Sequence, residues 1–139
     1  MNPASLPPEI PAPPTTIAGF DVAQAVDRML GQPTLWFEAL HLFVQHFANW
    51  EVDWQKVQGD DATERKCVHA LRSGAANIGA NQLSAVAAAL EELLARRCAG
   101  QTEVIPESSR ANLKACFRKD WQAAADACQC SRPENGAAS

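Results

Sequence analysis

The sequence predicts an all-α protein, an antiparallel four-helix bundle with a short additional helix at its N-terminal end. Three observations lead there. Apolar residues recur at helical spacing in four long segments, and strand-like alternation of any length is missing. Short connections carrying Gly, Pro or Asn join these segments, and short loops between amphipathic helices favour antiparallel neighbours. At 139 residues, 47% hydrophobic and 20% charged, the chain is long enough to build one compact core.

From the N-terminus, six prolines fall in the first 14 residues, so residues 1–18 read as a disordered, polyproline-like linker, a tether from something upstream. The bundle is placed at residues 19–130. "FDVAQAVDRML" opens with Asp21 as N-cap and Gln24 three residues on, a capping-box arrangement for the short extra helix. Gly31 and Pro33 then break the chain. In "TLWFEALHLFVQHFANW", Trp36, Leu40, Phe43, Val44 and Phe47 form one stripe. Leu35 and Leu42 fall on the reverse side, for the first helix to cover. The next helix runs from about Asp60 to Asn77 and stops near Gly79. Asn81 caps its successor, where Leu83, Val86, Leu90 and Leu94 share a face. "PESSRANLKACFRKDWQAAADAC" supplies the last helix, with Leu113, Cys116, Phe117, Trp121 and Ala124 inward. Residues 131–139, "SRPENGAAS", read as a disordered tail.

Several function classes drop out. No stretch approaches 18 uninterrupted apolar residues, which excludes a membrane-spanning helix, and the N-terminus has neither the basic start nor the apolar run of a signal peptide. A net charge of −4 gives no footprint for nucleic acid. The five cysteines, Cys67, Cys98, Cys116, Cys128 and Cys130, are odd in number and lack CxxC spacing, which fits reduced thiols in a cytoplasmic protein. The lone CxC of Cys128 and Cys130 is a weak metal signal, and His41 and His46, five apart, are poorly spaced to share a ligand. No metal site is expected.

The informative residue is His69. Each helical residue advances by about 100°, so with His69 at 0° the residues Val68, Leu71, Ala75 and Ile78 fall between roughly 180° and 260° and form the core stripe. His69 points away from it, into water. Arg65, Lys66, Arg72, Ser73, Ala76 and Ala80 lie within about 60° of it by the same count. A neutral imidazole is a good nucleophile towards phosphorus when its approach is open, small neighbours let another protein come close, and a guanidinium such as that of Arg72 can stabilise phosphoryl charge. No nucleophile is paired with His69, and no acid is evidently placed to orient it. The plain alternative is a solvated surface histidine among solvated cations.

The stretch "HALRSGAANIGANQLSAVAAALE", His69 to Glu91, tips that balance. It resembles the signature of the histidine-containing phosphotransfer family through His69, Leu71, Arg72, Ala75, Ile78, Gly79, Ala80, Leu83, Leu90 and Glu91. The resemblance covers about residues 18–97. Arg72 stands where Lys is commonest and Ser73 where Gly is commonest; charge and small size survive, and no reacting atom is lost. The resemblance implies that His69 is a phosphoacceptor, taking a phosphoryl group from an aspartyl phosphate on a receiver domain and passing it to a response-regulator aspartate. It implies Mg²⁺ on the receiver and no cofactor on this chain. The partners would be receivers of a hybrid histidine kinase or response regulator, met by a monomeric domain. Arg72 would stabilise phosphoryl charge; Ser73, Ala76 and Ala80 would centre the docking face, with Arg65 and Lys66 on its rim. The proline-rich leader suggests the C-terminal module of a larger hybrid kinase.

Three rival readings fit the residues less well. The phosphoacceptor box of sensor kinases carries an acid after its histidine and a proline five residues on, where this chain has Ala70 and Gly74, and no glycine-rich nucleotide-binding region follows. A helical module that docks on receivers without accepting phosphate would not need the histidine. A hydrolase using His69 as general base would need a second catalytic group that the motif does not supply.

Overall fold

A computed structural model describes residues 13–102 and 104–130, with the side chain of Cys130 excepted. Among these residues the structure is helical without a strand: α1 (Val22–Arg28), α2 (Pro33–His46), α3 (Trp50–Val57), α4 (Asp61–Ile78), α5 (Asn81–Cys98) and α6 (Glu107–Cys130). The long helices close a ring in which α4 packs on α5, α5 on α6, α6 on α2 and α2 on α4, while α1 and α3 lean on α4. Gly79 and Ala80 alone connect α4 to α5, so these two run antiparallel.

The α4 stripe is buried as its periodicity predicts: Val68, Leu71, Ala75 and Ile78 all lie in the core. Leu40, Leu83, Leu90, Leu94 and Leu113 meet them from the other long helices. Four tryptophans add direction to this packing, because a buried indole N–H needs an acceptor. Trp36 donates to the Ile78 carbonyl at 3.0 Å, Trp50 to the Cys67 carbonyl at 3.0 Å and Trp54 to Glu64 Oε2 at 3.0 Å. All three land on α4. Trp121 ties α6 to the Val44 carbonyl of α2 at 3.0 Å.

The chain departs from the sequence reading at five places. "FANW" does not continue α2: the helix ends at His46, and a separate α3 starts at Trp50. The break lets Phe47 turn its ring against Gly74, where a Cβ would meet ring atoms at 2.6 and 2.9 Å. It also stacks Trp50 on Trp54 and sets Trp50 against Phe117 of α6. Leu35 and Leu42 stay exposed: α1 packs against both α2 and α4 without covering them. It is tied to α4 at that helix's C-terminal end. There Asp21 N–H donates to the Gly79 carbonyl at 2.8 Å. Asp21 caps α1 through Gln24 N–H at 3.0 Å, but the reciprocal half of the capping box is missing: the Gln24 side chain accepts from Asn81 Nδ2 at 3.2 Å. Asn81 is therefore not a cap; Ala80 holds the N-cap position of α5. Finally, Ile17 packs against the core and its carbonyl accepts from Phe20 N–H at 2.9 Å, so ordered packing begins before residue 19. The rest of the expected linker, residues 1–12, and the expected tail, residues 131–139, lie outside the described residues.

Gly79 ends α4 in the left-handed region at φ 89°, as its place in the sequence predicts, and a Cβ there would stand 2.5 Å from the Asp21 carbonyl oxygen. Gly79→Ala is expected to destabilise the fold by about 2 kcal/mol through backbone strain and that clash, measured by thermal or urea unfolding. A second weak point is Glu64, fully buried and gripped by Arg110 through Nε at 2.9 Å and Nη2 at 2.7 Å. Among the described residues Arg110→Ala leaves that carboxylate with only Trp54, and a loss of about 3 kcal/mol is expected in the same measurement.

Candidate functional site

Burying the α4 stripe leaves His69 on the outer surface, its side chain 58% exposed. The ring is nevertheless held. Nδ1 lies 2.8 Å from Glu91 Oε2 on α5, and the other Glu91 oxygen accepts from Arg72 Nη1 at 2.8 Å. The Glu91 side chain is only 11% exposed, so one nearly buried carboxylate joins His69 and Arg72 of α4. An acid does orient His69, contrary to the sequence expectation. The hairpin accounts for it: His69 lies ten residues before Gly79 and Glu91 eleven after Ala80, which sets them level across the α4–α5 turn. The same symmetry pairs Asp61 with Arg97 at 2.9 Å further along. That spacing was legible in the sequence once the turn had been located.

Electrostatics set the state of the carboxylate. Burial on its own pushes the Glu91 carboxyl up, but hydrogen bonds from Arg72 and then His69, with the two positive fields, outweigh it and hold the group below the usual carboxylate range. An ionised carboxylate can only accept, so Nδ1 is the nitrogen that donates to it, and whenever the ring is neutral the lone pair is left on Nε2. Among the described residues no group hydrogen-bonds Nε2. The neighbouring thiol does not compete as a nucleophile: burial, aided by the charges of Asp53 and Glu64, pushes Cys67 up to about 11.

The remaining expected site residues divide. Arg65, Lys66 and Ser73 are exposed on the His69 side of α4, and Ala76 is half-buried there. Ala80 is fully buried. The 100° count stops being valid at Gly79, where the chain leaves the helix, so Ala80 turns inward under α5 instead of following Ala76. In place of Ala80 the face gains Arg28 of α1, whose Nη2 donates to the Ala76 carbonyl. Nothing local in the sequence signals that contact, which spans 48 positions. His41 is half-buried, with Nδ1 3.0 Å from the Phe37 carbonyl, and His46 is exposed against Phe47.

The geometry is that of an exposed, tautomer-fixed imidazole on a helical bundle. Searches among curated proteins and solved structures gave no match to the chain. The family model described as Hpt domain matches residues 38–127, well over half of the chain, a span that holds both His69 and Glu91. The chain therefore belongs to the Hpt family, the histidine-containing phosphotransfer modules of two-component phosphorelays.

Proposed function

We propose that His69 takes a phosphoryl group from the aspartyl phosphate of one receiver domain and delivers it to an aspartate of another. The observation that carries this reading is the Glu91–His69 hydrogen bond beneath an open ring. Nε2 attacks phosphorus, the N–P bond forms as the acyl O–P bond breaks, and the receiver aspartate leaves as a carboxylate. Nδ1 keeps its proton throughout, so the product ring is a phosphorylated imidazolium, and Glu91 faces the positive charge that develops. The return step reverses each of these changes. Arg72 acts on the ring through Glu91 by holding the carboxylate ionised and in place.

Everything else the reaction needs would come from the partner. The receiver would supply Mg²⁺ and the aspartate, while this chain supplies the imidazole and a face on which Ser73 and Ala76 keep side-chain bulk low. Arg28, Arg65, Lys66 and Arg72 surround that face with positive charge in a chain whose net charge is −4. An acidic phosphorylation site is the complement such a surface selects. No helix among the described residues is long and apolar enough to cross a membrane.

Incubation with a phosphorylated receiver tests the reading directly. Acid-labile label is expected on the wild type and absent from His69→Gln; binding to the receiver with no label on either protein would favour a module that only docks. Glu91→Gln keeps the size of the side chain but removes its charge. It is expected to slow transfer roughly 10-fold or more at neutral pH, measured by rapid-quench transfer from the receiver. Because the Glu91 carboxyl is held low, its grip on His69 is present at neutral pH, persists down through the usual carboxylate range and is lost only as pH falls through that lowered value.

A further inference from the structure

Beside His69 a hollow of about 390 Å³ opens between α4 and α5, lined by Ala62, Arg65, Lys66, His69, Glu91 and Cys98. It lies towards the N-terminal end of α4, away from the small face around Ser73 and Ala76. Helical side chains lean towards the N-terminus, so the imidazole is carried over the turn that bears Arg65 and Lys66. With Nδ1 occupied by Glu91, itself a wall of the hollow, Nε2 is the ring nitrogen left to carry a substituent.

The charges in the hollow are unequal in their commitments. Arg72 is bound to Glu91, and the two cancel. Arg65 and Lys66 are exposed and, among the described residues, have neither ion-pair nor hydrogen-bond partners. Residues three and four positions apart on a helix are surface neighbours about 5–6 Å apart at Cβ, within easy reach for these long side chains. A phosphoryl group joined to Nε2 brings two negative charges onto a ring whose other nitrogen already touches a carboxylate. It needs cations that Glu91 has not claimed.

We propose that the hollow is the resting site of the phosphoryl group, with Arg65 and Lys66 as its cationic ligands and Arg72 kept on Glu91. This rests on His69 being the phosphorylated residue and assigns to the two exposed cations a role beyond attracting a partner. In the phosphorylated state they would hold the oxygens while Ser73 and Ala76, at the centre of the docking face, stay free to meet the next receiver. Contacts made to the resting group and not to the hydrolytic transition state lower the ground state alone, so the bound group lasts longer.

The test loads the protein with phosphoramidate, a small donor that needs no receiver, so that it separates from the relay itself. Label should appear on the wild type and not on His69→Gln. In ¹⁵N spectra of the loaded protein, the side-chain signals of Arg65 and Lys66 should shift and Arg72 should stay with Glu91. The double variant Arg65→Gln/Lys66→Gln, altered only at exposed positions, should lose the phosphoryl group three- to ten-fold faster, and circular dichroism should confirm its fold. The proposal is overturned if Arg72 alone shifts, if the double variant decays within about twofold of the wild type, or if phosphoramidate leaves His69 unlabelled. Loading at His69 without exchange to any receiver would sink the relay reading instead, with the hollow still judged by the spectra.

Discussion

The rotation of α4 about its own axis is the constraint on which everything else turns. Four apolar side chains, Val68, Leu71, Ala75 and Ile78, must enter the core, and once they do His69 has no choice but to face outward. Hydrophobic burial alone is non-directional and would tolerate some rolling of the helix. The indoles of Trp36, Trp50 and Trp54 remove that freedom, since each donates to a fixed atom at the end, middle or start of α4. A buried donor that loses its acceptor costs about 1–3 kcal/mol, so any roll of α4 carries a penalty at three places at once.

With the helix fixed, one carboxylate organises the site. Glu91 could have been satisfied by water or by a single cation; instead it takes Nδ1 of His69 on one oxygen and Arg72 on the other. The arrangement resolves two demands that usually conflict. The role proposed for His69 requires a ring exposed enough for another protein to reach it, yet exposed side chains rotate among rotamers. Holding the ring from its buried edge leaves the reacting edge open while limiting that rotation. Arg72 is part of the arrangement, because without its charge burial would draw Glu91 towards protonation.

Much of this was legible from residues alone, for physical reasons that differ by element. The α4 stripe and its stop at Gly79 were readable because period 3.6 and a left-handed glycine are local properties of the chain. The end of α2 was not, because "FANWEVDW" keeps an apolar pattern across the break; the turn is imposed by Phe47 seeking the space above Gly74, a contact 27 positions away. Ala80 was misplaced for a local reason, the continuation of a helical count past a residue that ends the helix. Glu91 and Arg28 needed tertiary knowledge. Glu91 could still have been found by folding the two helices about Gly79 and reading across, whereas Arg28 depends on how α1 is tethered.

That tether has a practical meaning for where the unit begins. The recurrent family pattern starts at residue 38, inside α2, yet the backbone of Asp21 is hydrogen-bonded to the turn between α4 and α5, and Ile17 lies against the interior. The portion that can be moved intact between proteins is thus longer than the portion that repeats among them. Cutting at the edge of the shared pattern would strip the lid from the hinge of the helical hairpin, and with it the alignment that sets Glu91 opposite His69.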